Sequence, residues 1–173
     1  SFQDLAMGSH QLIKSLMEPY LVSQVSLSIP DTPLGRIYLQ YQETTWEFLK
    51  RFLSGYGVCL CPDSTGQGIR IRAGLWEQPE NVSWDLHPYR VRRDMAPRDV
   101  GQDLKGQLTY EVDAYEILPL GACLMFHGKE LYVRGLHRKL QDGLLVNRYE
   151  LCFKEGMGIR QYDNPLISGI SVN

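Results

Sequence analysis

From residue 107 to 154 apolar and polar side chains alternate, and two turn signals punctuate the alternation. Tyr110, Val112 and Ala114 alternate with Glu111, Asp113 and Tyr115. Further on, Tyr149, Leu151 and Phe153 alternate with Arg148, Glu150 and Lys154. A period of two sends successive side chains to opposite faces of a strand, so one face is apolar and the other wet. Gly128–Lys129 suits a type II′ turn and Asp142–Gly143 a type I′ turn, the geometries that match strand twist in a hairpin. Residues 122–127, 130–139 and 144–154 are therefore expected to form an antiparallel meander, as in an open sheet or a barrel wall.

The remainder of the chain can support a core beside that sheet. It has 173 residues, 43% hydrophobic and 22% charged, with a formal net charge of −2. This composition argues against disorder and gives no basic footprint for nucleic acid. No apolar run approaches the roughly 20 residues of a membrane span. Ser1 is not preceded by an initiator methionine and no secretion signal is visible, so the chain reads as a piece of something longer. Cys59, Cys61, Cys123 and Cys152 lack paired zinc spacing, and four cysteines do not make a disulfide scaffold. A reducing, intracellular place of synthesis follows.

Upstream, the pattern shifts to helical spacing. Leu5, Leu12, Ile13, Leu16 and Met17 predict a helix over 2–18, weak at Gly8 and ended by Pro19. Residues 22–29 alternate as a strand, and Arg36 to Tyr41 reads as a second. Thr44 and Glu47 then spell a capping box. Trp46, Leu49, Leu53 and Tyr56 predict the buried stripe of the following helix, with Phe48 and Phe52 flanking it and Gly55 and Gly57 as the stop. Val58 to Cys61 and Ile69 to Ala73 read as a hairpin, Trp84 to Arg93 as a strand and Met95 to Gly106 as a connector. The resulting divisions are a helical lead-in with the first strand (1–30), a small α+β insert with its connector (31–104) and a β-rich remainder (105–173). The fold class is α+β, mainly β.

The chemical candidates are few. Cys59 and Cys61 share a strand face, but a single Cys-x-Cys fits buried thiols better than a metal site. His10, His87, His127 and His137 fall in no ligand spacing; His137 has the strand parity of Leu131 and Val133 and so is expected on their face. Glu111 and Asp113 share a face, and paired carboxylates can cleave glycosides; alternating acids are also simply the wet face of a strand. Arg90, Arg92 and Arg93, with Arg98 beyond, form a basic patch suited to an acidic partner or a neighbouring subunit. No nucleotide-binding or nucleophile motif is present, and no cofactor or metal is expected.

The stretch QYQETTWEFLKRFLSGYGVCL resembles a signature of the hub and spike proteins of contractile injection systems, namely the late control protein D family of phage tails and the VgrG proteins of type VI secretion. Gln40, Tyr41, Glu43, Thr44, Trp46, Phe48, Leu49, Arg51 and Gly57 stand at matching positions. Residues 116–153 resemble the second barrel region of that family, and the closing YDNPLISGISVN its lead-out to the needle. Thr45 and Ala122 stand where the family often has Asp, and Cys59 and Cys61 replace aromatics. The resemblance implies the C-terminal part of a hub module, with an antiparallel β-barrel over about 105–155. It further implies a homotrimeric ring that adapts the tail tube to the needle. The protein would be made in the bacterial cytoplasm and assembled into a tail or injection particle with tube, baseplate and needle proteins. On this view the capped helix is scaffold. Two other classes remain: a tail-borne cell-wall hydrolase using Glu111 and Asp113, and a monomeric adaptor that takes a partner peptide at a β edge.

Overall fold

The computed structural model describes residues 2–20, 22–63, 67–93, 104–157 and 161–167. The chain divides into two compact units. The first contains residues 1–62, 66–74 and 159–173, and the second residues 63–65 and 75–158.

The first unit packs two helices on a small sheet. Helix α1 spans Ser9–Met17 and α2 spans Thr45–Ser54. Strands β1 (Val22–Leu27), β2 (Leu60–Asp63) and β3 (Ile69–Ala73) lie in the order β1-β3-β2, with β1 and β3 parallel. Helix α1 begins seven residues later than its apolar spacing predicts. Gly8 is extended (φ −71°, ψ 146°) and forms the cap position. Asp31 supplies the missing cap, its Oδ1 accepting from the His10 amide at 3.0 Å and the Ser9 hydroxyl at 3.4 Å. A Cβ at residue 8 would stand 2.7 Å from that oxygen, so the glycine is what lets the carboxylate approach.

The α2 stripe is rotated from its predicted position. Phe48, Leu49, Phe52 and Leu53 are buried, whereas Trp46 is 38% exposed. The apolar sequence positions permit two overlapping stripes, and the one at i, i+1, i+4 and i+5 meets the core. That core joins Leu12, Ile13 and Met17 of α1 to Ile71 and Ala73 of β3. Each such side chain contributes on the order of 1.5–3 kcal/mol by leaving water. Residues 36–41 do not form the predicted strand. Tyr38 makes an isolated two-way bridge with Phe2 (2.8 and 3.1 Å), and its ring meets Phe52 edge-on at 5.0 Å.

The second unit is a six-stranded sheet in the order β4-β7-β8-β9-β6-β5. Its strands are β4 (Pro79–Glu80), β5 (Tyr89–Arg93), β6 (Leu108–Ala114), β7 (Cys123–Phe126), β8 (Lys129–Gln141) and β9 (Leu144–Cys152). All pairs are antiparallel except β4 with β7. The predicted meander is present. Its first turn is centred one residue earlier than predicted, on His127–Gly128, with both residues at positive φ (48° and 70°) as a type I′ turn requires. The second turn falls on Asp142–Gly143 (51° and 80°), as predicted.

The sheet curls round its core. Tyr89 on β5 meets Phe126 on β7 edge-on at 5.2 Å, although three strands separate β5 from β7 in the sheet. No ladder joins β4 to β5 among the described residues, so the expected barrel is an open, curled sheet. Trp84 is fully buried against Tyr149 (4.8 Å) and lies in the turn that precedes β5, not in the strand predicted to begin there.

A β-bulge on β8 explains the largest change of side-chain direction. Val133 pairs with Leu151, yet Gly135 pairs with Glu150, so Arg134 is the extra residue. Before the bulge Leu131 and Val133 point to the core. After it Leu136 pairs with Tyr149 and takes the core side, while His137 pairs with Arg148 on the wet side. The parity argument that placed His137 with Leu131 and Val133 fails at that single residue.

Candidate functional site

The signature stretch of the first unit builds a clamp. The Thr44 amide donates to Glu47 Oε2 at 2.8 Å, and the Glu47 amide returns a bond to Thr44 Oγ1 at 3.2 Å, completing the capping box. The bonds from Thr44 hold the Glu47 carboxyl below its ordinary pKa. Arg51, two turns along the helix, reaches back to Glu43. Its Nε donates to Oε2 at 3.2 Å, and its Nη2 donates to Oε1 and, at 2.8 Å, to the Leu39 carbonyl. The two side chains are 17% and 9% exposed, so this pair is largely shielded from water. Gln40 adds a bond to the Glu43 carbonyl at 3.3 Å. Gly57 (φ 68°) supplies the left-handed turn after the helix. Glu43, Thr44, Phe48, Leu49, Arg51 and Gly57 are thus joined by cap, ion pair, core and stop.

Tyr41 and Trp46, both partly exposed, belong to the surface of this clamp. That surface holds the chain's last described segment. The Tyr162 amide donates to Ser54 Oγ at 3.0 Å, Asn164 Nδ2 donates to the Tyr41 carbonyl at 2.9 Å, and Lys50 Nζ lies 5.3 Å from the centre of the Tyr162 ring. A groove of about 550 Å³ between residues 36–39, the end of α2 and residues 161–167 is incompletely filled. Residues 40–57 and 162–167 are far apart in sequence, and only the fold brings them together.

In the second unit Arg90, Arg92, Glu111 and Asp113 share the wet face. Arg90 stands opposite Glu111 in register, and Glu111 opposite Glu150. Arg92 Nε lies 2.7 Å from Glu111, and its guanidinium also reaches Glu150 at 3.1 Å, where Arg134 adds a contact at 3.4 Å. Arg148 grips Asp113 with two bonds, at 2.8 and 2.9 Å. These hydrogen bonds, reinforced by the positive charges of Arg148 and Arg90, hold the Asp113 carboxyl below its ordinary pKa. A cleft of about 230 Å³ opens between Tyr89, Arg90, Glu111, Asp113 and Arg148.

This arrangement is a ladder of alternating charge. A glycoside-cleaving pair needs one carboxyl held protonated and one free to attack or to activate water. Asp113 is held toward its ionised form and gripped by Arg148, which does not suit the protonated role. Arg93 turns to the other face of β5 and donates to Gln107 at 3.1 Å. Arg98 lies outside the described residues. Lys154, assigned from the sequence to the same wet face, instead begins a short 3-10 turn after β9.

The thiol candidates lie in the first unit. Cys59 and Cys61 bring their Sγ atoms to 3.5 Å, and no disulfide is formed. Contact with Cys59, together with burial, pushes the Cys61 thiol pKa up, while the same contact pulls that of Cys59 down. Among the described residues no group of three or more His, Cys, Asp or Glu could hold a metal, and no helix is long and apolar enough to cross a membrane.

No protein family and no curated protein matches the chain by sequence. Solved structures do match. A tail protein from Neisseria meningitidis MC58 aligns over 91% of this chain and 71% of its own length, with a TM-score of 0.64 at 14% identity. The 43 kDa tail protein of prophage MuSo2 from Shewanella oneidensis aligns over 90% and 66%, with a TM-score of 0.65 at 13% identity. The chain shares the fold of phage tail proteins. Both units contribute to the match, since neither alone makes up nine-tenths of the chain.

Proposed function

We propose that this chain is a structural component of a phage tail or related contractile injection machine. More finely, it is the hub part whose copies form a trimeric ring between tail tube and needle. The observation that carries the first statement is the fold shared with two phage tail proteins over nine-tenths of the chain. The signature from Gln40 to Gly57 supports the second. Its residues make a clamp, and the segment seated on that clamp is the one that resembles a lead-out to the needle.

In this reading residues 1–30 are the lead-in, 31–104 the insert and connector, and 105–173 the second barrel and its lead-out. The open sheet supports assembly. Strand β5 lies at an edge and is exposed at all five positions, and unpaired edges are surfaces that proteins cover or pair. Arg90, Arg92 and the outer part of the charge ladder would then face a neighbouring subunit or the tube. The protein would be made in the bacterial cytoplasm and would need no cofactor.

The test is the mass in solution of the whole reading frame that contains this chain, followed by its localisation in purified particles by electron microscopy. A trimer located at the junction of tube and needle is the expected result. A monomer absent from particles would overturn the proposal.

A further inference from the structure

Cys59 and Cys61 meet each other and remain unjoined. Their Sγ atoms lie 3.5 Å apart, and both thiols are free. Both backbones are held in place. Cys61 sits on β2, at one edge of the three-stranded sheet, and the Cys59 carbonyl accepts from the Gly74 amide at 2.8 Å. A strand rises about 3.3 Å per residue, so residues two apart stand about 6.6 Å apart, at the long end of the span that a disulfide bridges. The sulfurs need to close by about 1.5 Å to reach the ~2.05 Å of a bond, a distance that side-chain rotation covers.

The pair is asymmetric. Cys59 is half-buried, whereas Cys61 is 6% exposed. A reagent arriving from solvent therefore reaches Cys59 first. The contact between the two favours a thiolate on Cys59 and a protonated thiol on Cys61, and the thiolate is the nucleophilic form. The charge of Arg72 on β3 favours the thiolate that Cys61 must become in a second step. Cys123 and Cys152 lack this arrangement. Both are fully buried, and the Cys152 sulfur faces the Met157 thioether at 3.5 Å, a group that forms no disulfide. Among the described residues no third His, Cys, Asp or Glu joins Cys59 and Cys61 to complete a metal set. Two adjacent thiols without a third ligand suit exchange chemistry.

We propose that Cys59 and Cys61 form a thiol–disulfide exchange site whose oxidant is a small-molecule disulfide, with Cys59 as the attacking thiol and Cys61 as the resolving thiol. The Cys59 thiolate attacks one sulfur of the small disulfide. That S–S bond breaks, one thiolate leaves and takes a proton from water, and a mixed disulfide remains on Cys59. Cys61 then loses its proton to water and attacks the Cys59 sulfur, and the second small thiolate leaves and is protonated. Two cysteine thiols are thereby oxidised to one disulfide, and one small disulfide is reduced to two thiols. A ring closed over so short a loop is strained, so excess small thiol reopens it. Such chemistry is separate from assembly and stands whether or not the ring of copies forms.

The test incubates the reduced, folded full chain with oxidised glutathione and follows intact mass and tryptic fragments. The wild type is expected to lose the mass of two hydrogens, with the new bond inside the fragment that carries both Cys59 and Cys61, and excess reduced glutathione should restore the thiols. Cys61→Ala should instead accumulate a single glutathione on Cys59, and Cys59→Ser should take up none at Cys61. In the wild type, iodoacetamide should label Cys59 roughly tenfold or more faster than Cys123 or Cys152; this reading needs no variant to fold. A wild type that forms no Cys59–Cys61 bond, or whose Cys59 labels no faster than Cys123, overturns the site. Glutathione captured by Cys61 in the Cys59→Ser chain overturns the assigned roles.

Discussion

Asn164 donates its side-chain amide to the backbone carbonyl of Tyr41 at 2.9 Å, across 123 positions of sequence. With the Tyr162–Ser54 bond, it ties residues 161–167 to the end of the capped helix. Few contacts hold this strap, and Tyr162 and Leu166 remain about half exposed. Asn164→Ala is expected to speed hydrogen exchange at the Tyr162 amide while leaving the α2 amides unchanged. Equal exchange in variant and wild type would show that the bond does not hold the strap.

The Arg51–Glu43 pair should behave as a shielded ion pair. Removing one partner leaves the other charge unmatched and strands the Leu39 carbonyl. Arg51→Met is expected to cost about 2–4 kcal/mol in urea denaturation. A loss below about 0.5 kcal/mol would mean that the pair is effectively solvated.

Within α2 the two aromatic positions should separate. Phe48 is fully buried, and Phe48→Ala is expected to cost about 3–5 kcal/mol. Trp46 is 38% exposed, and Trp46→Ala should cost about 1 kcal/mol or less. Equal losses at the two positions would show that the stripe has been assigned to the wrong face.

On the wet face, Asp113 sets a pH dependence of known sign. Its folded pKa lies below its unfolded value because Arg148 bonds the ionised form. Its stabilisation is therefore complete above about pH 4 and is lost as the pH falls through the lower folded value. The melting temperature of Asp113→Asn should vary less across that acid window than the wild type's. Identical profiles would place the Arg148 contact outside the stability balance. The same variant, combined with Glu111→Gln, checks the hydrolase alternative. Any peptidoglycan clearing by the wild type that is lost in this double variant would revive it.

The meander was legible because strand alternation, an Asp-Gly turn and a wet face all agree in sequence. The capping box was legible because Thr44 and Glu47 are local to each other. The rest depended on partners distant in sequence. Nothing near Val25 announces a parallel partner at Ile71, and nothing near Gly8 announces a cap from Asp31. The sequence of 36–41 suits a strand, but the stretch meets only Phe2 in ladder fashion among the described residues. For the candidate site, the members of the charge ladder were visible one by one. Their mutual pairing required the β5–β6–β9 register, which draws Glu111, Asp113 and Glu150 into ion pairs with Arg92, Arg134 and Arg148.

The bulge at Arg134 has a consequence for how such a chain can change. Below it, β8 contributes Leu131 and Val133 to a closed packing problem in which each methyl matters. Above it only Leu136 still packs against the core, and from His137 to the turn every side chain is exposed. A pair of residues gained or lost at the tip would be absorbed at the Asp142–Gly143 end without moving Leu131. Interior and exterior can then drift at different speeds along a single strand. Two chains could thus retain the same frame while sharing about one residue in seven and docking on quite different neighbours.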